Sequence, residues 1–243
     1  MQYWGITDPG CTRPQNQDTY QTEQLDKHTL LSVVCDGMGG AKSGNVASSL
    51  AVDVFVQEVK RTWVSGMDPE KIDQMLKNAV KLANFTVFDQ AQQFEEFAGM
   101  GTTLVAVLIT GKTATLVNVG DSRAYSITEE GVKQLTTDHS LVQMMVQRGE
   151  LTPEQAKTYP GKNLITRAIG TGTMVKCDIF HRRTKGDERF LLCTDGLSNI
   201  VDEQEMLFEI VHGSKMESAC ERLLSIAKNR GAPDNVTCVL VQM

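Results

Sequence analysis

From Leu30 to Cys35 the chain reads LLSVVC, a small and apolar run with β-branched Val33 and Val34, which predicts a strand buried on both faces. Asp36 closes the run. Gly37, Gly39 and Gly40 follow, a spacing suited to a tight turn with positive φ and to close approach of backbone to a ligand. The pattern returns in RFLLCTDGLSN, residues 189–199, where a second apolar run ends in Asp195-Gly196. A carboxylate at the end of a buried strand is costly unless positive charge offsets it. Two such strands therefore suggest carboxylates converging on one hard cation.

The same periodicities divide the rest of the chain. QYWGIT, residues 2–7, predicts an opening strand, and DPGCTRPQNQD, ending at Asp18, a polar structured loop. Beyond Ser43, read as a helix cap, Val46, Ala47, Leu50, Ala51, Val54, Phe55, Val59 and Trp63 recur at helical spacing. Asp68-Pro69 starts a second helix with the stripe Ile72, Leu76, Ala79, Val80, Ala83 and Val87. TTLVAVLIT, TATLVNVG and SRAYSI are β-rich, and their short connections predict antiparallel hairpins. Asp138 is read as the cap of HSLVQMMVQR, which Gly149 stops, and Thr152 to Gln155 has capping-box spacing. Residues 140–172 mix short helical pieces with Gly, Pro and Thr, which makes them the candidate for a mobile lid. MVKCDIF and RFLLC read as strands, Asp202 with Glu205 opens a helix, and SACERLLSIAKNRG is a helix ending at Gly231. NVTCVLVQM is the closing strand.

Composition narrows the class. With 243 residues and no linker, repeat or low-complexity tract, one domain spanning residues 1–243 is expected. A net charge of −6 without a basic cluster argues against nucleic acid as a partner. No basic-then-apolar leader is present, and no apolar run approaches the roughly 20 residues of a membrane helix. A soluble, cytoplasmic protein without membrane attachment is expected. Of the six cysteines, four lie in apolar runs and none forms a CxxC, so reduced core thiols are expected rather than disulfides or zinc ligands.

Several phosphate-handling motifs fail on spacing. Ala106 stands where a Walker loop before Gly111-Lys112-Thr113 needs glycine. Cys177 and Arg183 have the Cys-five-Arg spacing of cysteine-based phosphatases, but DIFHR between them lacks the glycines of a phosphate cradle. No HExxH is present, and His28, His139, His181 and His212 are scattered. There remain Asp18, Asp36, Asp121, Asp195 and Asp234 at the ends of apolar segments. An all-oxygen set of this kind selects Mg²⁺ or Mn²⁺, and a metal pair can activate a water for in-line attack on a phosphoryl group.

The ordered series TDPGCTRPQNQD, VVCDGMGG, GTTLV, VNVGDSRAY, TTDHS, LITRAIG, LLCTDGLSN and APDNVTCVLV resembles the metal-dependent serine/threonine protein phosphatases of the PPM or type 2C family, most of all their compact bacterial members. The motifs span residues 7–241. The resemblance implies an α+β fold, a four-layer αββα sandwich with two central antiparallel β-sheets flanked by helices. It implies hydrolysis of phosphoserine and phosphothreonine by a water activated on a binuclear Mn²⁺ or Mg²⁺ centre. In that pattern Asp36 bridges both ions, the Gly37 carbonyl helps hold one, and Asp195 with Asp234 completes the other. Asp18 acts near the pair, and Asp121 with Asp195 resembles the residues that hold a third, looser ion. Arg13 matches the arginine whose planar fork grips phosphoryl oxygens. Phosphorylated proteins, a Ser/Thr protein kinase and its substrates are the implied partners, with the enzyme acting as a monomer. A phosphatase of small phosphoesters and a non-catalytic regulatory module of the same fold are the alternatives.

Three positions depart from the pattern: Met38 stands where some relatives carry a histidine general acid, Ala41 where many bacterial relatives carry histidine, and Asn199 where an acid is common. The general acid therefore has no assigned side chain. His139 has two readings, a catalytic one and a structural one near a helix start, of which the structural is favoured. Arg167 is read equally as a substrate contact or as the partner of a lid carboxylate.

Overall fold

The computed structural model describes residues 1–213 and 215–242, with only the backbone described for residues 40–42. The departure at Ala41 therefore lies outside the described side chains, and Met243 of the closing strand lies outside the described residues. In chain order the elements are β1 (Gln2–Asp8), β2 (Asp18–Asp26), β3 (Thr29–Met38), α1 (Gly40–Thr62), α2 (Pro69–Gln93), β4 (Gly101–Thr102), β5 (Leu104–Thr110), β6 (Thr113–Val119), β7 (Arg123–Thr128) and β8 (Gly131–Gln134). There follow α3 (Leu141–Gln147), α4 (Pro153–Thr158), β9 (Asp178–Arg183), β10 (Arg189–Cys193), α5 (Asp195–Ser198), α6 (Glu203–Val211), α7 (Met216–Asn229) and β11 (Val236–Gln242).

One antiparallel sheet has the order β1-β11-β10-β7-β8, and the other runs β2-β3-β5-β6-β9 with β4 paired to β3. Strand β3 shows why the layers form. Its Leu31, Val33 and Cys35 join Phe55, Val59, Leu76 and Val80 of α1 and α2 in one apolar cluster. Its Leu30 and Val34 point the other way, to Val105, Leu116, Phe190, Leu192, Val239 and Val241 between the sheets. A period of two on a strand apolar throughout thus fills two cores at once. The β1-β11-β10-β7-β8 sheet presents Tyr125, Leu191, Cys193, Cys238 and Leu240 to Met206, Ile210, Leu223 and Ala227 of α6 and α7. Helix, sheet, sheet and helix make the αββα sandwich expected of the sequence. Among the described residues no helix is long and apolar enough to cross a membrane.

Cys35, Cys193, Cys220 and Cys238 are buried and free. Asp68 caps α2, and Thr152 and Asp202 form capping boxes. Five local expectations are corrected. Strand β3 does not end at Asp36 but continues through Gly37 and Met38, which pair with Thr102 and Gly101. Helix α1 begins at Gly40, so Ser43 lies inside it and donates its hydroxyl to the Gly39 carbonyl. The cap of α3 is Ser140, because Asp138 is occupied by a fork of hydrogen bonds from Arg123. Within MVKCDIF the strand starts only at Asp178. The fifth correction matters most: β5 and β6 form a hairpin, but β6 and β7 lie in different sheets. Gly120, Asp121 and Ser122 therefore cross between the layers at one end of the sandwich.

Candidate active site

The edge where the sheets diverge receives one carboxylate from each of several elements. Asp36 on β3 stands opposite Asp18 on β2 in the antiparallel register. Asp121 lies in the crossing after β6, Asp195 opens α5, and Asp234 precedes β11. The backbone around Asp36 is locked: its N–H donates to the Thr103 hydroxyl at 2.9 Å, and its carbonyl accepts from the Thr103 N–H at 2.9 Å and the Thr102 hydroxyl at 2.8 Å. The Thr103 hydroxyl also shares a 2.7 Å hydrogen bond with that of Ser122, the neighbour of Asp121. Gly37 is buried with no room to spare, since a Cβ there would lie 2.0 Å from the Gly44 carbonyl oxygen and 2.5 Å from that of Gln17.

Asp18 is 7 % exposed, and its Oδ2 accepts from the hydroxyls of Thr237 at 2.7 Å and Thr194 at 2.9 Å. Among the described residues its buried Oδ1 has no hydrogen-bond partner. Asn199 donates its amide to Asp195 Oδ2 at 3.1 Å, a bond that the acid common at this position could not make while ionised. The loop carrying Arg13 is pinned by Asn235, which accepts from the Gln17 N–H at 2.8 Å and donates to the carbonyls of Pro9 and Gln15. Arg13 is half exposed, and its Nη2 donates to Asp234 Oδ2 at 2.8 Å. Thr103, Ser122, Thr194, Thr237 and Asn235 were not singled out in the sequence. Only adjacency to an aspartate marks Thr194, Asn235 and Ser122.

The electrostatics follow from burying so many acids together. Burial pushes Asp36 well above the usual carboxylate range, and Asp18, Asp195, Asp121 and Asp234 each add repulsion. Asp36 is half-buried as a residue, but protein surrounds the carboxylate closely enough to strip most of its hydration. Asp18 is pushed up to about 7, by burial first and then by Asp195 and Asp234, against the pull of the two threonine hydroxyls. Asp121 also reaches about 7, through burial and then Asp195 and Asp138. Asp195 is raised by burial and Asp234, while a hydrogen bond with Asp36 and the charges of Arg123 and Arg13 oppose the shift. Arg13 is raised chiefly by its hydrogen bond to Asp234.

This donor set fits hard divalent cations. Its acids repel one another, and Asp18 presents a buried oxygen with no hydrogen-bond partner among the described residues. Among the described residues no three His, Cys, Asp or Glu side chains form a cluster able to hold an ion by themselves. Mg²⁺ retains several waters and needs only one or two protein carboxylates, so the absence of a closed cage does not conflict with the fit. Beside the acids lies a cleft of about 850 Å³ whose walls include Asp121, Asp195, Arg123, Lys157 and Lys162.

Comparison with known proteins gives the same direction. The family model described as Protein phosphatase 2C matches residues 13–241. The serine/threonine phosphatase stp of Listeria innocua is 35% identical over 237 residues, covering 97% of this chain and 93% of that protein. Among solved structures, serine/threonine phosphatase Stp1 from Staphylococcus aureus superposes with a TM-score of 0.93 at 35% identity, over 99% of this chain and 94% of that one. The catalytic domain of the serine/threonine protein phosphatase PstP, in complex with 2 manganese ions, has a TM-score of 0.84 at 33% identity, over 98% of this chain and 96% of that one.

Proposed function

The chain belongs to the protein phosphatase 2C family, and from that premise we propose that Asp36, Gly37, Asp195 and Asp234 hold its metal pair while Arg13 grips the phosphoryl group of the substrate. It is a metal-dependent serine/threonine protein phosphatase, a hydrolase of phosphoric monoesters, with two Mn²⁺ or Mg²⁺ ions as cofactors. When bound, the ions supply the positive charge that activates the attacking water and stabilises the phosphoryl oxygens.

The chain's own residues prepare that site. Asp36 lies among the other acids, repelled by Asp18, Asp195, Asp121 and Asp234, and is the carboxylate that would be offered to both ions. Asp18 is held rigidly by Thr194 and Thr237, with one oxygen left for water or an ion. Asn199 orients Asp195, and Asp121 extends the site toward the cleft, where with Asp195 it would hold a third, looser ion. Arg13 is parked on Asp234, and its guanidinium exchanges that partner for phosphoryl oxygens when substrate arrives. The observation that carries this reading is the convergence of Asp36, Asp18, Asp121 and Asp195 from separate parts of the chain, with Asp18 facing Asp36 across the ladder and pinned by Thr194 and Thr237.

Residues 1–243 act as one catalytic domain, with residues 140–172 as its lid, and the protein works as a cytoplasmic monomer on the substrates of a Ser/Thr kinase. The test is phosphate release from a phosphothreonine peptide with Mn²⁺, with a chelator as control and Asp195→Asn alongside. Mn²⁺-dependent release that the chelator abolishes and the variant loses is expected; release insensitive to chelator, or undiminished in the variant, overturns the assignment. A phosphorylated metabolite run in parallel, hydrolysed in place of the peptide, would shift the substrate to small phosphoesters.

A further inference from the structure

His139 belongs to none of the groups assigned above, yet its ring is 5 % exposed and fully engaged. The Gly120 N–H donates to His139 Nδ1 at 3.0 Å, and the His139 N–H donates to the Gly120 carbonyl at 2.9 Å. The imidazole and its own backbone thus close on both sides of the residue that precedes Asp121. Gly120 has φ +106°, and a Cβ on it would lie 2.6 Å from Thr103 Cγ2, so the crossing requires glycine at this point.

On the far side of the ring, Nε2 lies 3.2 Å from Asp178 Oδ2, and Arg167 Nη1 donates to Asp178 Oδ1 at 2.9 Å while standing 3.0 Å from Nε2. Accepting from Gly120 requires Nδ1 to be bare, so the proton sits on Nε2 and is donated to Asp178. Asp178 on β9 thereby selects the tautomer, and Arg167, whose partner is this carboxylate and not one in the lid, holds Asp178 in place. The Thr166 N–H donates to the His139 carbonyl at 2.7 Å, which ties the end of the lid segment to the same residue.

We propose that His139 is a positioning residue: by gripping Gly120 at its N–H and its carbonyl it fixes where Asp121 projects beside Asp195, with Asp178 and Arg167 holding the ring in the tautomer that does so. This rests on the reading of Asp121 as part of the ion site.

The test compares His139→Asn with His139→Gln, using Asp121→Ala as the reference. The Asn side chain places an amide oxygen near the position of Nδ1, whereas Gln reaches toward Nε2 and leaves the Gly120 N–H without an acceptor. For each, kcat and KM are measured on p-nitrophenyl phosphate with Mn²⁺, the looser Mn²⁺ affinity by calorimetric titration, and Gly120 amide exchange by NMR. His139→Gln is expected to follow Asp121→Ala, with kcat lower by about 10- to 100-fold, KM little changed, weakened looser Mn²⁺ binding and, in its own case, fast Gly120 exchange. His139→Asn is expected to restore most of each. Equal behaviour of the two His139 variants, whether both active or both impaired, overturns the positioning role while an impaired Asp121→Ala leaves the ion-site reading standing. An Asp121→Ala variant with wild-type kcat and Mn²⁺ titration overturns both.

Discussion

Asp18 faces Asp36 directly across the β2–β3 ladder. Like charges opposed in a sheet destabilise it, and here Asp36 is raised by burial and then by Asp18, while Asp18 is raised by burial and then by Asp195 and Asp234. The fold thus holds together an acidic pair whose repulsion is relieved by taking up a proton or a cation.

Asp18→Asn should therefore stabilise the metal-free protein. The amide keeps an oxygen for Thr194 and Thr237 but removes one negative charge beside Asp36. A gain of about 1 kcal/mol is expected, a rise in Tm of about 2–4 °C for a chain of this size. Thermal unfolding in chelator measures it, and the same variant should lose turnover with Mn²⁺. A lower Tm in chelator would contradict the repulsion argument.

Arg13→Ala removes a guanidinium that contacts Asp234 in this structure and phosphate in the proposed complex. Loss of a charge-assisted pair worth about 1.5–3 kcal/mol predicts a rise in KM of about 10- to 150-fold. Mn²⁺ titration should remain largely intact. Lost Mn²⁺ binding in this variant would show that Arg13 supports the carboxylates instead.

Gly37→Ala forces a Cβ to within 2.0 Å of the Gly44 carbonyl oxygen. Both contacts are backbone, so either β3 or the start of α1 must move. Destabilisation of about 1–3 kcal/mol and weakened Mn²⁺ binding are expected from denaturant unfolding and calorimetry. A variant with unchanged midpoint and affinity would show that the packing around Gly37 yields freely.

His139 gives the protein a pH dependence of definite sign. Burial lowers its pKa, with Arg167 acting in the same direction, while Asp178 and Asp138 oppose it. The folded protein then binds its proton less readily than an unfolded histidine near 6.5, so the unfolded state takes up more protons as pH falls. Stability is fully present above about 6.5 and declines as pH falls toward the folded pKa. His139→Asn should flatten that slope in thermal unfolding between about pH 5 and pH 7. An identical slope in the variant would exclude His139 as its source.

Much of this architecture is written in local pattern. β3, α1 and α2 each carry a periodic apolar set that no alternative element satisfies, and Asp36 and Asp195 are marked by the strands that deliver them. β2 was not legible, because its DTYQTEQLD is mostly polar and gains its place only by pairing with β3. The crossing at Gly120 reads as a hairpin in the sequence because a short link constrains distance and not the sheet its second strand joins. Asp138 looked like a cap and found Arg123 instead, and Asp18 is held by Thr194 and Thr237 from the far end of the chain. Such partnerships depend on the assembled fold and leave no periodic trace.

The measurement closest to the central claim is a calorimetric titration of Mn²⁺ into the wild-type protein and Asp36→Ala, both first shown to be folded by circular dichroism. Paired-ion binding in the wild type that the variant loses, together with its phosphothreonine hydrolysis, is the result predicted. Unchanged Mn²⁺ binding and turnover in Asp36→Ala would contradict it.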